Sequence, residues 1–486
     1  DPDVIRVEDT YYMVSTTMHF MPGCEILQSF DLVHWEHVTY VYETLDHTDA
    51  QQLKSGQNIY GQGMWAASLR YHEGRFYICF VANDTRKTYL YTSEKIDGPW
   101  KKQLIEGFYH DGSLLFDEDG RNYIVYGNDE IWITELNEDL TAPKKDGLHR
   151  LLVSDHKNPE LGYEGSHIQK INGYYYIFLI HSLRDRWMRT EACFYSDSLE
   201  GEFTGGDVLC DDRGYCGQGV AQGGIVDTPD GKWYAMLFQD SGAVGRIPIL
   251  LPVTWKDHFP VFGQNGHVPE EIEVHSTRPG YIYQPLVGSD DFCNGLLPRW
   301  QFNHDPDPRY YHLDALQGTY TITTREVCTE LTQAVNTLTQ RMSYPSCAAE
   351  VTVDASALKE GDVAGLCALQ SCYAAVGITK HHGKYEVLML DKKEDGILDM
   401  TEGTVVESHQ MDFRLEADFC NMKDEARCYY RVNKGDWLPI GTVHKLYFKL
   451  DHFTGCRFGL FCYAAEETGG SACFRDFKYY DVDEIS

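Results

Sequence analysis

Residues 173–178 read Gly-Tyr-Tyr-Tyr-Ile-Phe: a turn residue, then aromatic residues, then an apolar run. Aromatic and β-branched residues after a tight turn are typical of a β-strand. The same order recurs at four other places in the first half of the chain: Asp-Thr-Tyr-Tyr-Met-Val at 9–14, Gly-Arg-Phe-Tyr-Ile-Cys at 74–79, Gly-Arg-Asn-Tyr-Ile-Val at 120–125 and Gly-Lys-Trp-Tyr-Ala-Met at 231–236. Five such units predict the blades of a five-bladed β-propeller. The alternative is an ordinary β-sandwich with fortuitous Gly-x-Tyr-Tyr turns.

The second half of the chain has a different pattern. The repeat stops near residue 265, and residues 277–290, which are rich in turn formers, are predicted to be a linker. Beyond it, runs of alternating polarity such as 347–353 and 444–450 predict the strands of a β-sandwich. The sequence therefore predicts an all-β protein with a propeller domain at 1–280 and a β-sandwich domain at 290–486.

The charge and cysteine content exclude several classes of partner. Lys and Arg number 42 against 74 Asp and Glu, a net charge of −32 that repels phosphate backbones and anionic membranes. We therefore expect no nucleic-acid partner and no membrane partner, and no apolar stretch reaches the roughly 18–20 residues that span a bilayer. The 15 cysteines lack a Cys-x-x-Cys pair and predict free thiols. Free thiols favour the cytoplasm, with a removed leader as the alternative; no oligomeric state is predicted.

Three acidic residues stand at equivalent places in separate repeats. In a propeller the innermost strands surround a central channel, so residues near the start of each inner strand converge at one mouth. Asp1 comes shortly before the first repeat, Asp111 before the third and Glu164 before the fourth. A pair of carboxyl groups is what cleavage of a glycosidic bond needs. An acid beside Gly or Pro is also a common turn former, so spacing alone leaves both interpretations open.

Several segments together resemble glycoside hydrolase family 43. They are Asp-Pro-Asp-Val-Ile-Arg-Val at 1–7, Gly-Met-Trp-Ala-Ala at 63–67, Asp-Gly-Ser at 111–113, Glu-Gly-Ser-His at 164–167 and Gly-Arg-Ile-Pro at 245–248. They stand in the family's order over about residues 1–265. The region from Asp291 to His304 resembles the C-terminal domain of the β-xylosidase and arabinofuranosidase members. The resemblance implies a five-bladed propeller followed by a concanavalin A-like β-sandwich, in agreement with the repeat.

The resemblance also implies roles for the three acids. Asp1 matches the general base that activates water, and Glu164 matches the general acid that protonates the departing oxygen. Asp111 matches a third carboxylate that orients the acid and raises its pKa. The family inverts the anomeric configuration, which implies about 6.5–9.5 Å between the base and acid carboxyls. The residues expected to bind substrate are Trp65, His110, His167, Gln222 and Arg246.

The sequence departs from the family's pattern at two positions. Many members have Pro after the third carboxylate, where this chain has Gly112, and many have His at the centre of the fifth blade, where it has Gln222. That His sometimes stands beside a calcium ion, and a glutamine is a poorer anchor for a metal-bound network. A structural calcium is therefore possible but not favoured. The chemistry requires no cofactor and no metal, because carboxyl groups supply both proton transfers.

The predicted activity is that of an inverting exo-glycosidase. Its predicted substrates are oligosaccharides of xylan or arabinoxylan, from which it releases terminal α-L-arabinofuranose, β-D-xylose or both. The alternatives are a non-catalytic carbohydrate-binding propeller and an endo-arabinanase with an open groove. The segment Trp300–Phe302, with Tyr310 and Tyr311, could reach over the pocket, although a place in the sandwich core is favoured.

Overall fold

The computed structural model describes residues 1–481 and contains a five-bladed propeller, as the repeat predicts. The last five residues of the predicted second domain, 482–486, lie outside the described residues. The first twenty-one strands are β1 (Asp3–Val7), β2 (Thr10–Val14), β3 (Phe20–Met21), β4 (Gly23–Ser29), β5 (Glu36–Tyr42), β6 (Met64–His72), β7 (Arg75–Ala82), β8 (Lys87–Ser93), β9 (Lys101–Ile105), β10 (Ser113–Phe116), β11 (Asn122–Asn128), β12 (Glu130–Leu136), β13 (His149–Ser154), β14 (Glu164–Ile171), β15 (Tyr174–Ser182), β16 (Arg189–Ser196), β17 (Thr204–Leu209), β18 (Gly224–Asp227), β19 (Trp233–Asp240), β20 (Arg246–Lys256) and β21 (Phe259–Phe262).

Each blade is a four-stranded antiparallel sheet. The strand orders are β1-β2-β4-β5, β6-β7-β8-β9, β10-β11-β12-β13, β14-β15-β16-β17 and β18-β19-β20-β21. The repeated aromatic segments form the second strand of each blade, and their turn residues form the hairpin that joins it to the first strand. The second strand is nearly continuous apolar sequence because it packs against the neighbouring blades on both faces.

The second domain is a sandwich of two sheets. Its strands are β22 (Gln301–Asn303), β23 (Tyr311–Asp314), β24 (Thr319–Thr323), β25 (Leu338–Arg341), β26 (Ser346–Asp354), β27 (Val363–Leu369), β28 (Ala374–His381), β29 (Lys384–Lys392), β30 (Leu398–Met400), β31 (Thr404–Val406), β32 (Gln410–Asp418), β33 (Glu425–Val432), β34 (Leu438–Lys445), β35 (Arg457–Tyr463) and β36 (Ser471–Asp481). One sheet has the order β23-β24-β36-β26-β32-β33-β34, and the other runs β3-β22-β25-β35-β27-β28-β29-β30 with β31 also paired to β29.

Helical structure is confined to single turns. Within residues 1–481 the 3-10 helices are Lys54–Gly56, Gly242–Val244, Leu331–Gln333 and Cys420–Met422. In the same part of the chain no helix is long and apolar enough to cross a membrane. All fifteen cysteines are free thiols.

The two domains share a sheet and a tightly packed interface. Strand β3, which lies between two strands of the first blade in sequence, pairs with β22 at the edge of the sandwich. Gln301 on β22 donates a hydrogen bond of 2.7 Å to the carbonyl of Pro22, and the guanidinium of Arg341 forms an ion pair with Glu25. Because these contacts hold the sandwich against the first blade, side chains of the sandwich can contribute to the mouth of the propeller.

Two expectations for the sandwich have different outcomes. Trp300 and Phe302 are buried in the core of the sandwich, as the favoured interpretation of the segment Trp300–Phe302 predicts.

The prediction of a strand at 444–450 is wrong beyond Lys445, where β34 ends. The amide side chain of Gln370 bonds both the N–H and the carbonyl of Tyr447, at 3.1 and 2.7 Å, and so replaces a strand partner. The chain therefore leaves the sheet here and turns towards the propeller.

Candidate active site

The three acids of the sequence pattern come together at one mouth of the propeller. Asp1 precedes β1, Asp111 precedes β10 and Glu164 begins β14, the first strands of blades 1, 3 and 4. Oxygens of Asp111 and Glu164 and a ring nitrogen of His110 lie within 4.8 Å of one another. Asp1 and Asp111 line the same small cavity. These acids are far apart in sequence but adjacent in space because first strands surround the channel.

An arginine below the mouth connects the first strands of four blades through hydrogen bonds. Arg70 on β6 donates to Asp3 Oδ2 at 2.8 Å, to Ser113 Oγ at 2.7 Å, and to the carbonyls of Leu114 and Ile168 at 2.8 and 3.2 Å. Burial by itself would raise the pKa of Asp3, but the positive charge of Arg70 leads the effects that give a net lowering. The contacts of Arg70 thus fix the relative positions of blades 1 to 4.

Asp1 is held by one charged and one neutral donor. Arg246 donates from Nη1 to Asp1 Oδ1 at 2.5 Å, and the hydroxyl of Thr16 donates to Oδ2 at 2.6 Å. Charge-assisted bonds of this kind hold a carboxylate in its ionised form and in one orientation. Arg246 begins β20 of the fifth blade, so this ion pair joins the last blade to the first.

The guanidinium of Arg246 is itself fixed on three sides. Its Nε donates to Asp240 Oδ1 at 3.3 Å, and its charged centre lies 4.5 Å from the ring centroid of Phe238 and 4.2 Å from that of Phe453. Asp240 also forms a buried ion pair with Arg189. The result is a row of alternating charges, from Arg189 through Asp240 and Arg246 to Asp1, which is rigid because every member is bonded on both sides or buried.

Glu164 stands between donors at the rim. Asn128 Nδ2 donates to Glu164 Oε2 at 2.9 Å, and His110 Nε2 lies 3.4 Å from the same oxygen. His110 Nε2 also lies 3.5 Å from Asp111 Oδ2, so its imidazole faces both acids. The pKa of Asp111 is raised, first by burial and further by the negative charge of Glu164, while His110 opposes the shift.

The backbone beside the two acids is unusually close-packed. Asp111 has a positive φ of 48°, a conformation that Asp tolerates better than most residues. Gly165, with a φ of 66°, donates its N–H to Asp111 Oδ2 at 3.0 Å. A Cβ at Gly165 would lie 2.2 Å from Cδ of Gln222, and the positive φ also favours glycine at this position. The close approach brings the chain at Glu164 directly against Asp111.

Two aromatic rings form one wall of the site. Trp65 on β6 is half-buried, and its ring lies 6.2 Å from that of His110. The ring of Phe453, from the sandwich, lies 5.4 Å from the ring of Trp65 at an interplanar angle of 86°. Phe453 also covers Arg246, as described above. The sandwich therefore supplies one side of the site, through the segment that follows β34.

A larger cavity opens behind Asp1. It has a volume of about 720 Å³ and is lined by residues of blades 1 and 5 and of the sandwich, among them Asp1, Arg246 and Phe453. Its lining includes neither Asp111 nor Glu164. This space is large enough to hold several water molecules against the Asp1 carboxylate.

The structure places His167 and Gln222 below the mouth and not on its surface. Both are buried, and His167 Nδ1 lies 3.1 Å from Asp3 Oδ1. They line a small cavity of about 10 Å³ together with Ser166 and the acids Asp1 and Asp111. Their contact with the sugar stays a prediction; the structure places both side chains against the acids, in the lining of the same small cavity.

The residues around this small cavity do not fit calcium. Calcium takes six to eight oxygen ligands. Both carboxyl oxygens of Asp1 already accept from Thr16 and Arg246, and Asp111 Oδ2 accepts from Gly165. The unpaired buried hydroxyl of Ser166 and the amide of Gln222 add too few oxygens. The volume is that of a single water molecule.

Protonation of His110 provides a test of this geometry. The charge of Asp111 leads the effects that raise the pKa of His110 from 6.5 to about 9, against the effect of burial. Because the folded protein binds this proton more tightly than the unfolded chain does, protonated His110 stabilises the folded state. This stabilisation is complete below about pH 6.5 and is lost as the pH rises through about 9. One pKa unit corresponds to about 1.4 kcal/mol, so protonated His110 contributes up to about 3 kcal/mol to the free energy of unfolding. We expect the difference in unfolding free energy between the wild type and His110→Asn to shrink by that amount between pH 6 and 9.5, measured by urea denaturation. A difference that is the same at both pH values would contradict the contacts of His110.

Sequence reasoning missed several residues of the site. Phe453 comes from the other domain, and no local pattern distinguishes it from a core phenylalanine. Asp240 is one of many acids, and its place between two arginines is visible only in the fold. Asp3 could have been singled out, because it stands in the same Asp-Pro-Asp segment as Asp1.

Comparison with known proteins identifies the family. The family model described as glycosyl hydrolases family 43 matches residues 1–260, and the model described as the beta xylosidase C-terminal concanavalin A-like domain matches residues 289–480. The chain belongs to glycosyl hydrolases family 43 and is a glycoside hydrolase. The resemblance stated from the sequence is thereby confirmed, for the fold of both domains and for the class of enzyme.

Three relatives illustrate the range of the family. A solved structure of a bifunctional GH43-CE protein of Bacteroides eggerthii is 42% identical with a TM-score of 0.91, and the match covers 100% of this chain but 62% of that longer chain. A beta-xylosidase of Formosa agariphila is 26% identical over 99% of this chain and 87% of its own length. A non-reducing end alpha-L-arabinofuranosidase of Bacteroides ovatus is 23% identical over 82% of this chain and 78% of its own length.

Proposed function

We propose that the protein is an inverting exo-glycosidase. Its substrates are xylan- or arabinoxylan-derived oligosaccharides, from which it releases terminal α-L-arabinofuranose, β-D-xylose or both. The observation that carries the proposal is the convergence of Asp1, Asp111 and Glu164 at one mouth, with Asp1 bonded to Arg246. The beta-xylosidase and alpha-L-arabinofuranosidase relatives support these two sugars.

The mechanism assigns one proton transfer to each of two acids. Asp1, ionised and oriented by Arg246 and Thr16, removes a proton from a water molecule as its oxygen attacks the anomeric carbon. The bond between that carbon and the leaving oxygen breaks, and Glu164 donates its proton to the leaving oxygen. Attack from the face opposite the leaving group inverts the configuration. The separation of about 6.5–9.5 Å between the two carboxyls stays a prediction of this mechanism.

The other residues bind and orient. The flat face of Trp65 is suited to the C–H face of a sugar ring. The guanidinium of Arg246 is suited to hydrogen-bond hydroxyls beside the cleaved bond while it holds Asp1. Asp111 lies against both His110 and the chain at Glu164, so it is suited to orient the acid.

The exo mode of action is supported by the sandwich. Phe453 is almost fully buried between Arg246 and Trp65, and the chain that carries it closes this side of the mouth. An endo-acting enzyme needs a groove that is open at both ends, so that a polymer can lie across the acids. A wall made by a second domain is suited to a pocket that admits one terminal sugar.

The test is an assay of products. We expect release of p-nitrophenol from the α-L-arabinofuranoside, the β-D-xylopyranoside or both, and release of single pentoses alone from arabinoxylan oligosaccharides. Proton NMR during the first minutes should show the released sugar in the anomeric form opposite to that of the substrate. Oligosaccharides released from arabinan would instead indicate an endo-arabinanase. Sugar binding without any release would indicate a carbohydrate-binding protein.

A further inference from the structure

An exposed tryptophan stands at the same end of blade 4 as Glu164. The hairpin of β15 and β16 has its loop, residues 183–188, at the same end of blade 4 as the start of β14, because Glu164 pairs with Ile180 on β15. Trp187 in this loop has 44% of its surface exposed, whereas the other aromatic rings described at the mouth are half-buried or buried. An isolated exposed aromatic residue carries no meaning by itself, so its support matters.

The indole of Trp187 rests on the charged row that ends at Asp1. The guanidinium carbon of Arg189 lies 5.3 Å from its ring centroid, within the range of a cation–π contact. Arg189 is buried and pairs with Asp240, which also bonds Arg246. The ring therefore rests on a buried arginine whose own position is fixed by an ion pair.

Hydrogen bonds hold the loop that carries Trp187 at two places. The hydroxyl of Ser182 accepts from the N–H of Met188 at 2.8 Å and donates to the carbonyl of Arg186 at 3.2 Å. Arg184 donates from Nη1 to the carbonyl and a carboxyl oxygen of Asp155, at 2.8 and 3.0 Å. A platform that is already rigid loses little conformational entropy when a ligand binds on it.

We propose that Trp187 is the platform for the sugar on the leaving-group side of the cleaved bond. This inference rests on the proposed function, in which Glu164 protonates the leaving oxygen. The sugar unit to which this oxygen belongs must then lie next to Glu164. The ligand is a pyranose or furanose unit of the remaining oligosaccharide, which presents its C–H face to the indole. Trp187 thus acts on substrate selection and lies apart from the residues that hold the terminal pentose.

The experiment compares two leaving groups on the same terminal pentose. One substrate is a xylo-oligosaccharide or arabinofuranosyl xylo-oligosaccharide, and the other is the glycosyl fluoride of the same pentose, whose leaving group is too small to reach Trp187. For Trp187→Ala we expect kcat/KM on the oligosaccharide to fall about tenfold or more, equivalent to about 1.4 kcal/mol, and kcat/KM on the fluoride to stay within about twofold. Trp187→Phe should recover most of the loss, because it keeps an aromatic face.

The matched control is Trp437→Ala. Trp437 is a tryptophan of the sandwich whose ring also lies on an arginine, Arg431, at 4.3 Å, and it should affect neither substrate. Equal losses on both substrates, or no loss on either, would overturn the inference, and thermal melting of each variant identifies a loss that comes from misfolding. Failure of the proposed function looks different: the wild type would then hydrolyse neither substrate, and the inference would fall with it.

Discussion

Glu164→Gln is expected to reduce kcat/KM on xylo- or arabinoxylo-oligosaccharides by about 10²–10⁴-fold, the range of a positioned proton donor. A sugar leaving group departs as an alkoxide unless its oxygen is protonated, and the amide cannot supply a proton. The substitution preserves size, and Asn128 Nδ2 still finds an oxygen at the side chain. The loss should therefore come from chemistry and not from a disturbed fold.

The acidity of the leaving group identifies the role of Glu164. On a 2,4-dinitrophenyl glycoside, whose leaving group needs no proton, the same variant should retain most of its activity. The matched control is Glu160→Gln, an exposed residue of the loop that leads to Glu164, which should be neutral on both substrates. A loss of the same size on good and poor leaving groups would show that Glu164 is not the acid.

Asp1→Asn is expected to cause a loss of about 10²–10⁴-fold that does not depend on the leaving group, since activation of water is required with every substrate. The amide keeps one acceptor for Thr16 but loses the ion pair with Arg246. Because Arg246 remains bonded to Asp240 and covered by Phe453, we expect the fold to persist. Steady-state kinetics on the oligosaccharide and the dinitrophenyl glycoside measure the effect.

Azide separates the base role of Asp1 from a structural one. Azide attacks the anomeric carbon without loss of a proton, so it should restore turnover in Asp1→Asn and yield a glycosyl azide of inverted configuration. The control is Asp9→Asn, a half-exposed residue of the first hairpin that pairs with Arg278 and should leave turnover unchanged. A dependence on the leaving group like that of Glu164→Gln would contradict the assignment.

The blades could be predicted because their pattern is local. Each repeat contains its own turn, its aromatic residues and its apolar strand within about six residues, and each of them forms the second strand of a blade. Local alternation was a weaker guide in the sandwich. The alternating run continues past Lys445, yet the strand ends there because the side chain of Gln370 takes over the hydrogen bonds of Tyr447.

The candidate site could be predicted in part. Their equivalent places in the repeat and the family resemblance single out Asp1, Asp111 and Glu164, and the fold brings these three acids together. His167 belongs to the same segment as Glu164, and Gln222 stands at the centre of the fifth blade, but sequence cannot tell an exposed side chain of the mouth from a buried one. The structure adds that both side chains are buried and that His167 contacts Asp3, whereas their contact with a sugar stays a prediction.

The sequence by itself determined the number of blades and the family, because these depend on short segments and their order. The tertiary structure alone decided which side chains share the mouth. Arg246 bonds Asp1 across 245 positions, and Phe453 reaches both Arg246 and Trp65 from the other domain. Such contacts depend on how blades and sheets pack, and packing is a property of the whole chain that no local pattern contains.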